Sequence, residues 1–250
     1  MTIKKRLDVV LTERGLVDSR SRAQALVMAG KVLVDGVVVT KAGAAVAEDA
    51  EIDLETPDHP YASRGGLKLE AALDAFGLSP EGLDCLDVGA STGGFTDLLL
   101  QRGARRVIAI DVGRGQLDWK LRSDPRVVVM EGINARYLGP DDLPFAVDLV
   151  TIDVSFISLR LVAPAVLPHL RSGGTLVCLV KPQFEAGRDQ VGSGGVGRDE
   201  AVRRQVVERT VAALTELDLE LVGVTPSPIR GPKGNLEELA VFRKQVVTSE

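Results

Sequence analysis

Two charged residues stand where apolar runs stop: Asp153 follows VDLVTI (147–152) and Lys181 follows TLVCLV (175–180). Runs of this kind are strands buried on both faces, and in such sheets the side chains that act on ligands stand just beyond the carboxyl ends. An amine facing a carboxylate there suits proton removal from a weakly acidic hydroxyl, or support of the alkoxide as it forms. It equally suits a structural ion pair, and the residue types leave both open.

A third feature names the ligand class. LDVGASTGGF (86–95) ends an apolar run in Asp87 and then places Gly89, Ala90, Ser91, Gly93 and Gly94 ahead of a helical stretch that starts near Phe95. Such a turn lets a ligand lie against backbone at a helix N-terminus. Asp111, followed by Val112, ends the next run 22 residues after Gly89, where an acid receives ribose hydroxyls. A nucleoside-containing cofactor is expected. A dinucleotide fingerprint would read G-x-G-x-x-G, whereas this turn reads Gly89-x-Ser91-x-Gly93-Gly94 behind an acid. Asp87 would repel a pyrophosphate and suits an amino group and a sulfonium, which points to S-adenosylmethionine. Asn134, after the third run, is placed to meet its adenine. The fourth strand is followed by Asp153-Val154-Ser155-Phe156 without the proline turn of base-amino methyltransferases. Neither cysteine, Cys85 nor Cys178, ends a strand as a carbon-5 cytosine enzyme would need.

The elements that must position these residues follow from the pattern. Apolar runs at 84–88, 106–110, 126–130, 147–152, 175–180, 219–224 and 239–242 alternate with helical stretches at 67–76, 95–102, 158–170 and 199–217. That alternation predicts an α/β fold with a doubly wound, mostly parallel sheet, its last two strands forming an antiparallel hairpin at the edge. The expected organisation is a small domain over 1–58, a linker over 59–66 (proline and turn residues without periodicity) and a large domain over 67–250.

In the small domain, RLDVVLTERG and SRSRAQALVMAG carry helical spacing, and KVLVDGVVVT reads as a hairpin around Asp35-Gly36. Residues 1–31 hold seven basic and three acidic residues, net +4; residues 32–58 hold one basic and seven acidic, net −6. Arg20 and Arg22 fall in the first turn of the second helix, Arg6 just before the first, and Lys31 where the hairpin starts. One face therefore gathers cations near a helix N-terminus, which suits phosphates. The chain as a whole has 250 residues, 45% hydrophobic and 26% charged, with net charge −5, ordinary globular composition. It shows no membrane-spanning run and no signal-peptide core, and the buried-looking cysteines argue for reduced thiols, so a cytoplasmic protein is expected. His59 and His169 lack neighbours that would make a metal site, and none is expected.

Two resemblances sharpen this. SRxxAxxLxxxGxVxVDG, carried by Ser21, Arg22, Ala25, Gly30, Val32, Val34, Asp35 and Gly36, resembles the αL (ribosomal protein S4-type) RNA-binding motif. Lys68 in SRGGLKL, Asp153, Lys181 and Glu237 in GPKGNLE resemble in order and context the Lys-Asp-Lys-Glu tetrad of FtsJ/RrmJ-like ribose 2′-O-methyltransferases; the G-N-x-E match selects Glu237 over Glu238. With DVGASTGGFTDLLL, DVGRGQLDWKLR, DVSFISL and VKPQFEAGRDQVGSGGVGRD, the chain over 4–243 is similar to the TlyA family, known both as rRNA methyltransferases and as haemolysins. The resemblance implies S-adenosylmethionine-dependent 2′-O-methylation of cytidine in the RNA of ribosomal subunits. Lys181 would be base or alkoxide stabiliser, Asp153 its orienting partner, and Lys68 and Glu237 would position the ribose. Arg64, and Arg188 and Arg198 in the glycine-rich 184–199 segment, would add RNA contacts, the segment closing as a flap. The rivals are a dinucleotide-dependent oxidoreductase, opposed by Asp87 and the tetrad, and a membrane-active haemolysin, opposed by the absence of a spanning or basic amphipathic segment.

Overall fold

A computed structural model describes residues 4–17, 19–54, 59–186, 200–231 and 234–246. The chain divides into two compact units, Met1–Pro60 and Tyr61–Glu250.

The small unit begins with β1 (Lys4–Arg6), α1 (Leu7–Glu13) and α2 (Arg20–Met28), followed by the short strands β2 (Val32–Val34), β3 (Val37–Val38), β4 (Ala45–Ala47) and β5 (Ile52–Leu54). Asp35 and Gly36 take φ of 51° and 75°, the left-handed pair that a two-residue turn between twisted strands requires. β2 pairs with β3 and β5, and β1 with β4, all antiparallel. Leu7, Val10, Leu11, Ala23, Val27 and Val32 form its core.

The large unit contains α3 (Gly65–Ala75), β6 (Asp84–Val88), α4 (Gly94–Gln101), β7 (Arg106–Asp111), α5 (Trp119–Arg122) and β8 (Val127–Glu131). Then come β9 (Val147–Ile152), α6 (Leu159–Val166), β10 (Leu170–Val180), α7 (Pro182–Glu185), α8 (Glu200–Thr215), β11 (Leu219–Pro226) and β12 (Glu238–Lys244). The sheet order is β11-β12-β10-β9-β6-β7-β8. β6 to β10 are mutually parallel, and β12 runs antiparallel to both β10 and β11. From β6 the chain winds outward through β7 and β8, then returns to β9 on the other side. The carboxyl ends of β6 and β9 therefore flank the switch point, where a crevice opens in folds of this kind.

Alternate strand residues feed two cores. Leu86, Ile108, Val150, Leu176 and Phe242 pack under α6 and α8; Cys85, Val107, Leu149, Val177 and Val241 pack under α3, α4 and α5. Cys85 and Cys178 are both buried free thiols. Residues 61–66, read from the sequence as linker, are built into this unit. Tyr61 is buried in the second core and its hydroxyl meets Glu70 at 2.5 Å, while the Ala62 N–H donates to Asp97 of α4 at 2.7 Å. The helix expected over 158–170 ends its α turns at Val166, and Leu167–His169 continue as a 3-10 turn around Pro168, which lacks the N–H a further α turn would use.

At the amino ends of the strands, opposite the crevice, Asp84 is fully buried. Arg105 and Arg106 each donate to both of its oxygens at 2.6–3.1 Å, and Arg171 reaches it at 3.4 Å while holding Asp148 at 2.7 Å.

Candidate active site and nucleic-acid interface

The glycine turn brings backbone against backbone at the switch point. Gly89 has φ +87°, and a Cβ there would overlap the carbonyl of Asp153. Gly94 opens α4 so close to Ser63 that any side chain would collide with the Ser63 hydroxyl and backbone. Gly93, at φ +98°, is pressed on Leu117 and Leu121. Only glycine satisfies both the left-handed angles and the clearances at 89 and 93.

Around this turn the crevice has two lobes that share Gly89, Ser91 and Asp153. The larger, about 260 Å³, is lined by Asp111, Val112, Gln116, Asn134, Val154 and Phe156 among others. The smaller, about 130 Å³, is lined by Ser63, Gly65, Ala90, Thr92, Gly94 and Phe95. The Asp111 carboxylate accepts the Ser91 N–H at 2.8 Å and the Gly113 N–H at 2.7 Å. The first of these bonds supports Ser91 in its left-handed conformation, φ +48°, which a non-glycine residue adopts at a cost of about 1–2 kcal/mol. Asn134 accepts the Arg136 N–H at 3.1 Å and so starts the turn that follows β8.

Asp87, expected to face the cofactor, lies outside both lobes. It is fully buried, with Thr96 donating to one oxygen at 2.7 Å and Thr151 to the other at 3.0 Å. Pleat parity explains this: Asp87 shares the face of Cys85, toward α4, and not that of Leu86 and Val88. It braces the turn from beneath. Burial raises its carboxyl from 3.8 to about 6, against the opposing pull of the two hydroxyls. A group raised on folding stabilises most below its unfolded value, and that contribution disappears as pH climbs through the folded value. Asp87→Asn should therefore gain on the wild type between pH 4 and 7, by up to about 3 kcal/mol. Denaturant unfolding of both proteins across that range checks this; a pH-independent difference would show that Asp87 carries no such load.

Beside the turn stand four charged groups in two pairs. Lys181 follows β10 and its Nζ lies 2.5 Å from Asp153 Oδ1 and 3.0 Å from Ser155 Oγ. Lys68, in the first turn of α3, lies 2.5 Å from Glu237 Oε2. The register of β10 on β12 sets Val180 against Glu238, so Lys181 and Glu237, the next residue on each strand, come out side by side. All but Asp153 are buried. Glu237 Oε1 is a buried oxygen without a hydrogen-bond partner among the described residues, whereas buried Asp153 Oδ1 is met by the Lys181 ammonium at 2.5 Å. Buried acceptors left open in this way are costly unless something else meets them. Glu238 lies in β12 and lines a groove beside α8 instead.

Residues 61–244 match the FtsJ-like methyltransferase family and residues 5–52 match the S4 domain. Over 246 residues the chain is 47% identical to the 16S/23S rRNA (cytidine-2′-O)-methyltransferase TlyA of Mycobacterium tuberculosis, which covers 98% of this chain and 92% of that one. The chain belongs to the TlyA family. It is thus a methyltransferase with an S4 unit ahead of its methyltransferase unit. Hemolysin A of Brachyspira hyodysenteriae is 42% identical, over 95% of this chain and 99% of that one. A solved structure of a Streptococcus thermophilus protein described as a hemolysin superposes with TM-score 0.75 at 45% identity, covering 98% and 90%. Among the described residues, no helix is long and apolar enough to cross a membrane.

The S4 unit of this TlyA-family chain sorts its cations. Lys5 is bound between Glu13 at 2.8 Å and Glu48 at 2.9 Å, and Arg14 donates to the carbonyls of Ala50 and Glu48. Arg6 and Arg20 stay half-exposed while both touch Asp8. Arg22 follows Ser19, whose hydroxyl caps α2 by accepting the Arg22 N–H at 3.2 Å. Lys31 is partly buried and Arg64 is exposed at the start of α3. Arg188 and Arg198, and with them residues 187–199 of the expected flap, lie outside the described residues, while Phe184 and Glu185 at its start belong to α7.

Several lining residues escaped the sequence reading. Ser63 and Gly65 sit in a stretch without periodicity; only the small residue types around SRGG hinted at close packing. Ser155 and Phe156 extend the Asp153 turn. Phe156 is 90% exposed at φ +64° and packs on the Phe184 ring at 4.9 Å between centroids. Glu185 joins the two strand-end loops by accepting from Ser158 Oγ at 2.6 Å and the Leu159 N–H at 2.8 Å.

Proposed function

We propose that this chain methylates the 2′-hydroxyl of cytidine ribose in ribosomal RNA, in the cytoplasm, with S-adenosylmethionine as donor. The observation that carries the reading is the paired arrangement Lys181–Asp153 and Lys68–Glu237 beside the glycine turn. The relative from Mycobacterium tuberculosis, named for cytidine-2′-O methylation of 16S and 23S rRNA, supports the substrate class.

The crevice fits the cofactor. Gly89 and Gly94 leave backbone bare where a Cβ would close the gap, and the Asp111 carboxylate stands at the end of β7. Asp111, Val112 and Asn134 would hold the nucleoside; Ser63, Gly65, Gly94 and Phe95 would hold the amino-acid end at the α4 N-terminus. The bound cofactor supplies a methyl group activated by a positively charged sulfur.

Lys181 acts on the ribose hydroxyl, either as the neutral amine taking its proton or as the ammonium holding the charge that develops on oxygen while the proton passes to water. Asp153 and Ser155 fix the ammonium, which has three rotatable donors and no preferred direction of its own. Glu237 Oε1, buried and without a donor among the described residues, is an acceptor for a neighbouring ribose hydroxyl, and Lys68 balances its charge. Two ammonium and two carboxylate groups leave the site near neutrality. The rate advantage lies mainly in alignment. Phe156 offers a flat apolar platform at the mouth for an unpaired base. The S4 unit would supply backbone contacts to structured RNA.

The test is to incubate the purified chain and S-adenosylmethionine with 30S subunits, 50S subunits and deproteinised rRNA, and to map ribose methylation by nucleotide. New 2′-O-methylcytidine is expected. Methyl groups on bases alone, or no transfer despite measured cofactor binding, would refute the reading.

A further inference from the structure

Asp8 lies in the first turn of α1 and is fully buried, yet three side chains from separate places in the S4 unit converge on it. Arg6 binds it in a fork, Nε to Oδ1 at 3.0 Å and Nη2 to Oδ2 at 2.9 Å. Arg20 Nε donates to Oδ2 at 3.1 Å and Gln24 Nε2 to the same oxygen at 2.8 Å. The Arg6 guanidinium is further confined by Gly43, where an added Cβ would come within 3.0 Å of Nη1. Despite these bonds the side chains of Arg6 and Arg20 remain 52% and 55% exposed, against 0% for Asp8. One hidden negative charge thus sits behind two exposed positive ones. The cluster keeps net charge +1 and its guanidinium groups are fixed before any ligand arrives.

We propose that Asp8 is a positioning residue for substrate RNA, holding Arg6 and Arg20 as a preformed clamp for phosphates of the RNA backbone. An unrestrained surface arginine loses about 2 kcal/mol of rotamer entropy on being fixed, and here the fixing is done within the fold. Planar guanidinium forks can bond carboxylate on one edge and phosphate on another, which an ammonium cannot do. Arg6, ahead of the other donors, holds the Asp8 carboxyl far below the usual carboxylate range, so the buried charge persists at working pH. The proposal rests on the reading that the S4 unit binds ribosomal RNA, and it adds what orders that face.

Asp8→Asn in the full chain separates this from simple electrostatics. Removing a negative charge near cations should tighten binding to a polyanion if only charge matters; the clamp requires the opposite. With transcribed 16S and 23S rRNA as probes, retention assays from about 50 to 300 mM salt should show roughly tenfold weaker binding and a log K against log salt slope shallower by about one. The KM for RNA should rise by a similar factor with kcat within about twofold. A purely structural Asp8 would lower the melting temperature and leave the slope unchanged in the folded range. Arg6→Lys and Arg20→Lys keep both charge and fold, and are expected to weaken binding about threefold to tenfold, so the test stands even if Asp8→Asn does not fold. Equal or tighter binding by folded Asp8→Asn, or wild-type binding by the two lysine variants, overturns the clamp. Should Arg6→Gln with Arg20→Gln bind RNA as the wild type does, the RNA-binding reading of this face fails and takes the clamp with it.

Discussion

Lys181→Ala should reduce single-turnover methyl transfer by about three orders of magnitude, the scale of losing a positioned proton acceptor or an oxyanion donor. Cofactor binding should persist, because Lys181 lines neither lobe of the crevice. The fold should persist too. The partner left behind, Asp153, keeps 20% of its side chain exposed although Oδ1 itself is buried, so the stability cost stays at about 1–3 kcal/mol. Rapid-quench kinetics on ribosomal RNA, with calorimetric titration of the cofactor as control, would measure both. Lys181→Arg refines the result. An arginine stays charged and cannot serve as a base, so recovery of part of the rate would assign Lys181 to holding charge on oxygen, and no recovery would assign it to taking the proton. Near-wild-type turnover by the alanine variant would remove Lys181 from the chemistry.

The second large effect is on stability. Glu237→Gln leaves the Lys68 ammonium buried without its partner at 2.5 Å, and breaking one side of a buried pair costs about 3–5 kcal/mol. Against a typical total of about 5–15 kcal/mol, urea midpoints should fall visibly. Replacing the whole pair, with Lys68→Met and Glu237→Leu in one chain, should return most of that loss, since apolar replacement of a whole buried pair is often neutral or favourable. Activity should stay absent in the double variant. That combination, stability regained and turnover not, would show that the pair is retained for the reaction. A double variant as unstable as the single one would make the pair structural.

Much of this was legible beforehand because it depends on local pattern. Seven apolar runs became the seven strands of the large sheet, most plainly in β6 and β9, which are buried on both faces, although the edge strand β11 is largely exposed. Asp35-Gly36 specified its turn through backbone angles alone. The strand-end positions of Asp153 and Lys181 followed from where hydrophobicity stops. What escaped needed three dimensions. α5 and α7 have four residues each, too few to show a period. β10 begins at Leu170 and runs through an irregularity between Leu170 and Thr175, where composition reads as a turn. Ser63 and Gly65 acquire meaning only when α4 is brought against them. Asp87 shows how composition can mislead when pleat parity is ignored: the acid belongs to the turn motif, yet alternation sends it beneath the backbone.

The arginine knot on Asp84 bears on how the enzyme breathes. It ties together the starts of four neighbouring strands, β7, β6, β9 and β10, at the floor of the sheet, while at the ceiling the Asp153 N–H donates to the Val88 carbonyl at 2.9 Å and the Gly89 N–H to the Ile110 carbonyl at 2.8 Å. Stitched at both ends, these strands have little freedom to splay, so any give beside the glycine turn belongs to the loops that follow the strands, with the hydrophobic layers on either side left undisturbed.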